Sequence, residues 1–181
     1  SNMMLICIVA LIFYACGNQW TVSVAEDTYA HKYAVQKNYN MTVREALPIV
    51  KYSGTTGENL IWELYTNGVL RINGTGAMPD YHYNKNNANA APWAQYRAEI
   101  TKVVIGAGVQ NIGSFAFYQC TVLSTVEFAE NATLTVINTG AFGYTAALKN
   151  ITLPASLKDI DQCGFYFSGL ETVAFAEGSQ M

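Results

Sequence analysis

Charge is scarce in this chain. Of 181 residues, 10 are Lys or Arg and 13 are Asp or Glu, for a formal net charge of −3. The cations stand singly, so no stretch could track a phosphate backbone, which argues against a nucleic-acid partner. Cysteine is equally sparse, with Cys7, Cys16, Cys120 and Cys163 forming no CxxC pair, a poor basis for zinc or redox chemistry. Cys120 follows Phe117 by three residues and Cys163 precedes Phe165 by two, so the two occupy different depths and are expected as free, buried thiols rather than a disulfide. The only histidines, His31 and His82, lie in no metal or triad spacing. Asp80, His82 and their flanking tyrosines could be imagined as an acid/base group, but the adjoining loop carries Asn84, Asn86, Asn87 and Asn89 and offers no desolvated pocket. With no nucleophile elbow, phosphate loop or carboxylate pair, catalysis, cofactor and metal are not expected.

What the chain does have is repetition. From Ile100 to Met181 one unit is written three times and begun a fourth. Ile100, Leu123, Leu148 and Leu170 start the units, at spacings of 23, 25 and 22 residues. Val103, Val126, Ile151 and Val173 form the next column, and Ile105, Phe128, Leu153 and Phe175 the one after. Further columns are Val109, Leu134 and Leu157; Ile112, Ile137 and Ile160; and Phe117, Phe142 and Phe165. The two extra residues of the second unit fall around Glu130 to Thr133, where a turn could absorb them. One unit is too short to bury its own apolar face, so the columns must stack on those of the neighbours. Each buried aliphatic or Phe side chain stabilises by roughly 1.5–3 kcal/mol.

Within each unit, Val126 and Phe128 alternate with Thr125 and Glu127, and Ile151 and Leu153 with Asn150 and Thr152, the period of a strand with one face buried. Stacked units place these strands in a parallel sheet. The segments around Phe117 and Phe142 suit a short helical or 3₁₀ turn with the Phe aimed inward. The expected class is an α/β solenoid.

IGSFAFYQC (Ile112 to Cys120), INTGAFGYT (Ile137 to Thr145) and LKNITLPASLKDI (Leu148 to Ile160) resemble the BspA-like leucine-rich repeats of bacterial surface proteins, a type also found in some parasitic protists. The resemblance covers about 80 residues of repeat and extends back to Tyr52. The position that holds Asn in ordinary leucine-rich repeats is Asn131 in one unit but Gly108, Ser156 and Gly178 in the others, so no asparagine ladder is expected.

Taken from its start, the chain divides as follows. Ser1 and Asn2 (1–2) read as the remnant of a cleaved tag. Residues 3–16 are wholly apolar, the length of a signal-peptide h-region and short for a bilayer span. Phe13-Tyr14-Ala15-Cys16 resembles a degenerate lipobox, with Cys16 as the lipidated position, although the basic n-region is missing; the alternative is a buried strand or helix of the mature fold. Residues 17–50 form a tether or accessory element, with a helix from about Ala25 to Lys37. In 51–99, two apolar runs flank Thr66-Asn67-Gly68, a strong hairpin signal. The segment resembles the one preceding BspA-like repeats, and its role would be an N-terminal cap in which Trp62 and Trp93 cover the first repeat. Residues 100–181 are the repeats, the last one incomplete, so that an uncovered C-terminal face could self-associate. Asn40, Asn73, Asn131 and Asn150 lie in Asn-X-Thr sequons, informative only in a host that glycosylates them.

Binding is the default use of such an array. The outward positions are Lys102, Val104, Thr125, Glu127, Asn150, Thr152, Thr172 and Ala174, a mild polar surface suited to a protein or glycan on a host or neighbouring cell. The resemblance implies an extracellular or cell-surface adhesion-like module, with membrane contact only through a lipid on Cys16. Two alternatives stand beside it: a carbohydrate-binding domain stacking sugars on Tyr81, Tyr83, Trp93 and Tyr96, and a structural spacer with no ligand.

Overall fold

The computed structural model describes residues 13–15, 20–22 and 48–179. The chain divides into two compact units, Ser1–Pro48 and Ile49–Met181. In the first, β1 (Phe13–Ala15) pairs antiparallel with β2 (Trp20–Val22), Tyr14 opposite Thr21. Strand β1 falls within the apolar segment 3–16. The rest of that segment save β1, Cys16, the helix expected from Ala25 to Lys37, His31 and Asn40 lie outside the described residues.

The second unit opens with an antiparallel meander, β3 (Val50–Thr56), β4 (Leu60–Tyr65) and β5 (Val69–Gly76). The turn between β4 and β5 is Thr66-Asn67-Gly68, as its composition predicts. Gly68 takes φ +80°, and a Cβ there would stand 2.7 Å from the Glu99 carbonyl, so both backbone and space require glycine. Alternation along β4 buries Leu60, Trp62 and Leu64 and leaves Ile61 exposed and Glu63 half-buried.

Strand β5 then turns from antiparallel to parallel pairing. It joins β6 (Lys102–Ile105), with Leu70 beside Val103 and Ile72 beside Ile105. Strand β6 joins β9 (Thr125–Phe128), with Val103 beside Val126 and Ile105 beside Phe128. Further along, β11 (Asn150–Leu153) joins β13 (Thr172–Phe175) in the same register. A second parallel ladder runs through β8 (Asn111–Ile112), β10 (Val136–Ile137) and β12 (Asp159–Ile160), aligning Ile112, Ile137 and Ile160. Between the ladders, β7 (Gly108–Val109) pairs with Thr75 and Gly76 of β5.

The core is a file of rings and aliphatic columns. Trp93 stacks on Phe117 at 5.8 Å between centroids, Phe117 on Phe142 at 5.1 Å, and Phe142 on Phe165 at 5.2 Å. Around this file Ile100, Leu123, Leu148, Ile105 and Leu153 are fully buried. Val173 and Phe175 of β13, in the same columns, are about half exposed.

The α/β class is corrected: the regular elements among the described residues are strands, and the only regular helical segment among them is the 3₁₀ turn Ala94–Tyr96. The Phe segments are not helical because two positions per unit turn left-handed. Phe115, Gly140 and Cys163 have φ of 56°, 62° and 62°, and Gln119, Tyr144 and Phe167 have 61°, 58° and 50°. Each such residue breaks the run of i to i−3 bonds seen at Ala116 to Gly113 and Tyr118 to Phe115. A left-handed L-residue costs roughly 1–2 kcal/mol. What offsets it is a bond to the next unit: Phe115, Phe117 and Gln119 donate N–H groups to the carbonyls of Thr139, Ala141 and Gly143, and Gly140, Phe142 and Tyr144 to those of Cys163, Gly164 and Tyr166. Main-chain donors that a helix would use internally are turned outward to bind the adjacent coil.

Candidate interaction face

Period-2 alternation in β6, β9 and β11 aims one set of side chains into the core and the other to solvent, and β13 continues the register with all four of its residues exposed. The eight outward residues expected from the sequence lie on that second set. Lys102 is opposite Thr125 and Val104 opposite Glu127, while Asn150 is opposite Thr172 and Thr152 opposite Ala174. Lys102 Nζ reaches Glu127 Oε1 at 2.6 Å, and Lys149 pairs with Glu171 at 3.2 Å. Such exposed pairs contribute about 0–1 kcal/mol.

The face continues onto the meander, an extension the repeat columns did not disclose. Arg71 lies beside Val104 in the ladder and over the Tyr65 ring, whose hydroxyl donates to Glu63. The alternation of Leu60 to Leu64 was the signal that could have found it.

The sheet has one interruption. Strands β9 and β11 share no ladder, although the units they belong to stay bonded through β10 and β12 and through the Phe turns. In the other units, the residue after the strand closes the rung: Gly106 donates to Ile72, Ala129 to Ile105 and Ala176 to Leu153. The equivalent residue of the third unit is Pro154, which has no N–H to give. Downstream, the Ser156 hydroxyl donates to the Leu134 carbonyl at 2.7 Å and ties the two units again. A cleft of about 720 Å³ runs along both strands and the loops that follow them, its lining including Thr125, Glu127, Glu130, Asn131, Asn150, Thr152 and Glu177.

The four rings of the alternative sugar platform differ in exposure. Trp93 is fully buried and donates Nε1–H to the Ala116 carbonyl, and Tyr81 is buried with its hydroxyl on Thr56. Burial pushes the Tyr81 phenol up to about 12, although the bond to Thr56 acts the other way. Tyr96 lies flat on Tyr52 at 3.9 Å, which leaves Tyr83, 53% exposed, as the one open ring of the four. An aromatic row that the sequence reading did not single out flanks it: Tyr118, Tyr144 and Tyr166 meet edge to face at 5.3 and 5.6 Å.

The remaining candidates are structural. Asp80 accepts bonds from the Ser114 N–H and the Asn138 amide. Partial burial pushes its carboxyl up, but these bonds outweigh it and hold it below the usual range. His82 stacks on Tyr83 and accepts from the Asn84 N–H. Cys120 is buried, and desolvation raises its thiol to about 12; Cys163 is exposed, which corrects the expectation of two buried thiols. Among the described residues no group of three or more His, Cys, Asp or Glu could hold a metal ion, and no helix is long and apolar enough to cross a membrane.

Residues 93–181 match the model of the BspA type leucine-rich repeat region, in six copies. The chain is a BspA-like leucine-rich repeat protein. Solved structures similar to these BspA-like repeats include a leucine-rich repeat protein from Eubacterium ventriosum, 22% identical over 70% of this chain and 44% of that one, with a TM-score of 0.45. Another is a leucine-rich repeat protein from Bacteroides capillosus, 28% identical over 68% of this chain and 98% of that one, with a TM-score of 0.43. A third is a leucine-rich cell surface protein from Faecalibacterium prausnitzii, 20% identical over 72% and 44%, with a TM-score of 0.35. The chain therefore spans less than half the length of the first and third. Comparison with curated proteins returns no match. The family assignment rests on the repeat model.

Proposed function

We propose that this BspA-like protein is a non-catalytic interaction module that binds a protein partner through the outward face of its parallel strands. The observation that carries the reading is the placement of Lys102, Thr125, Glu127, Asn150 and Thr152 on the outward side of β6, β9 and β11, whose other side is core. On this reading the meander is a cap: Trp62 meets Trp93 edge to face at 6.0 Å, and Trp93 covers Phe117 at the head of the ring file. The array is a solenoid whose rungs can vary outward without disturbing the columns. The site of action is the cell surface or the extracellular space, in keeping with the surface proteins whose repeats these resemble. Apolar Val173 and Phe175 suit association with a second apolar surface.

The glycan reading has the weaker support, since three of its four rings are occupied within the protein. Flow cytometry of labelled protein on intact bacterial and epithelial cells separates the readings. Binding is expected to be removed by protease treatment of the cells, to survive glycosidase treatment, and to fall at least tenfold in the Thr125→Arg/Thr152→Arg double variant with its melting temperature unchanged. Binding that is abolished by glycosidase, or indifferent to the double variant, overturns the proposal, and no binding to any cell favours a spacer.

A further inference from the structure

We propose that the aromatic strip along the Phe turns docks a proline-rich segment of a protein partner, with a carboxylate at one end of that segment. This surface is separate from the outward strand face, so either proposal can fail without the other. Six rings touch in series. Tyr83 meets Phe115 and Tyr118 at 6.0 and 6.1 Å, Tyr118 meets Tyr144 at 5.3 Å, and Tyr144 meets Tyr166 and Phe167 at 5.6 and 5.2 Å. Tyr83, Tyr166 and Phe167 are exposed and the other three are half-buried. The ring file of Phe117, Phe142 and Phe165 already fills the core beneath them. Tyr144 and Phe167 moreover hold left-handed backbone, with φ of 58° and 50°, where a bulky side chain is disfavoured and Gly or Asn is at ease. Rings kept at the surface against that cost serve a contact outside the fold.

The shape and charge of the strip select the occupant. The turns 113–121, 138–146 and 162–169 contain no charged residue. Successive tyrosines, from Tyr83 through Tyr118 and Tyr144 to Tyr166, cross at 68°, 76° and 79°, which makes ridges and slots rather than a flat platform. A sugar stacks on an open ring face, whereas the pyrrolidine rings of a polyproline II helix seat between aromatic ridges at little cost in ordering. Beside Tyr83 and Tyr118 lies a cation. Arg97 is 7% exposed, with its guanidinium carbon 6.0 Å from the centre of the Tyr118 ring. Its Nη2 donates to the Tyr83 carbonyl at 3.1 Å, its buried Nε has no partner, and no carboxylate pairs with it among the described residues. A cation this deep is ordinarily paired. Nη1, neither bonded nor enclosed, is the nitrogen that a carboxylate arriving with the partner reaches.

The test uses the whole chain and four probes: a run of prolines headed by glutamates, the same run headed by lysines, a glutamate-headed run of alternating Ala and Ser, and cellohexaose. Titration calorimetry is expected to detect the glutamate-headed proline peptide, to find the lysine-headed one about fivefold weaker, and to detect neither the Ala-Ser peptide nor the sugar. Tyr83→Ala/Tyr166→Ala, which removes two exposed rings, should weaken the proline peptide about tenfold with the melting temperature unchanged. Arg97→Leu should make the two proline peptides equal. If that variant does not fold, the preference for the glutamate head must instead fade in the parent protein as salt is raised. Thr125→Arg/Thr152→Arg should leave peptide binding as it is. No binding of the proline peptide, equal binding of the Ala-Ser peptide, binding of cellohexaose in its place, indifference to the ring variant, or no preference between the heads overturns the inference. Loss of cell binding in Thr125→Arg/Thr152→Arg with no peptide binding defeats this site and leaves the strand-face reading intact.

Discussion

On the side of the Phe turns the first, second and third units are joined at each step by main-chain bonds from the turn residues to the next unit; on the strand side β9 and β11 of the second and third units share no ladder. The two sides differ in what their sequences can donate. Every residue that must donate in the Phe turns, Phe115 to Gln119 and Gly140 to Tyr144, carries an N–H, whereas the strand side meets a proline at the donor position. The comparison teaches that the second and third units are held together by the ring file, the turn bonds and the β10–β12 pair rather than by the long strands. Phe117, Phe142, Ala141 and Cys120 make the turn side close-packed, while the strand side faces water.

The largest disturbance of that contrast should come from the ring file. Phe142→Ala removes the ring stacked between Phe117 and Phe165 and is expected to destabilise by about 3–5 kcal/mol in urea or thermal denaturation. A loss below about 1 kcal/mol would mean the file does not join the units. Next is Gly140→Ala, where φ is +62° and a Cβ would stand 2.6 Å from the Phe115 ring. The left-handed conformation alone costs about 1–2 kcal/mol. Since Phe115 and Cys163 hold the same conformation in the sister units, any loss beyond that is expected to disappear in Gly140→Ala/Phe115→Ala measured against Phe115→Ala.

The smallest effect is acidic. Asp80 ties the Pro79 segment to the turns of two units, and its folded carboxyl titrates below the ordinary value. A carboxyl depressed by folding stabilises fully above its unfolded value, about 3.9, and that stabilisation fades as pH falls through the lower folded value. Stability of the protein is therefore expected to decline below about pH 4. Comparing pH-dependent melts of the parent and Asp80→Asn should show a shallower decline in the variant, and identical slopes would remove Asp80 from the account.

Much of this was readable beforehand. The columns led by Ile100, Val103, Ile105, Ile112 and Phe117 are the columns of the ladders and the ring file, because apolar side chains that recur at one spacing have only their own kind to pack against. The hairpin at Asn67-Gly68 was readable because a local turn is written in local residues. The left-handed positions were not, since Phe115, Gly140 and Cys163 share no chemistry that would announce a common backbone. Trp93 stood under two readings, a cap residue and a sugar platform; whether a ring lies in water or in the core depends on which surfaces meet it, and Trp93 is met by Trp62, Tyr81 and Phe117.

The order of residues by itself determined that these units stack and which columns alternate between the two faces of a strand, because periodicity is a property of the chain alone. Only the tertiary structure decided that the Phe segments become left-handed turns rather than helices, and that β9 and β11 share no ladder. Both depend on where a main-chain donor finds its acceptor, and those acceptors lie about one repeat away, on another coil brought alongside by folding.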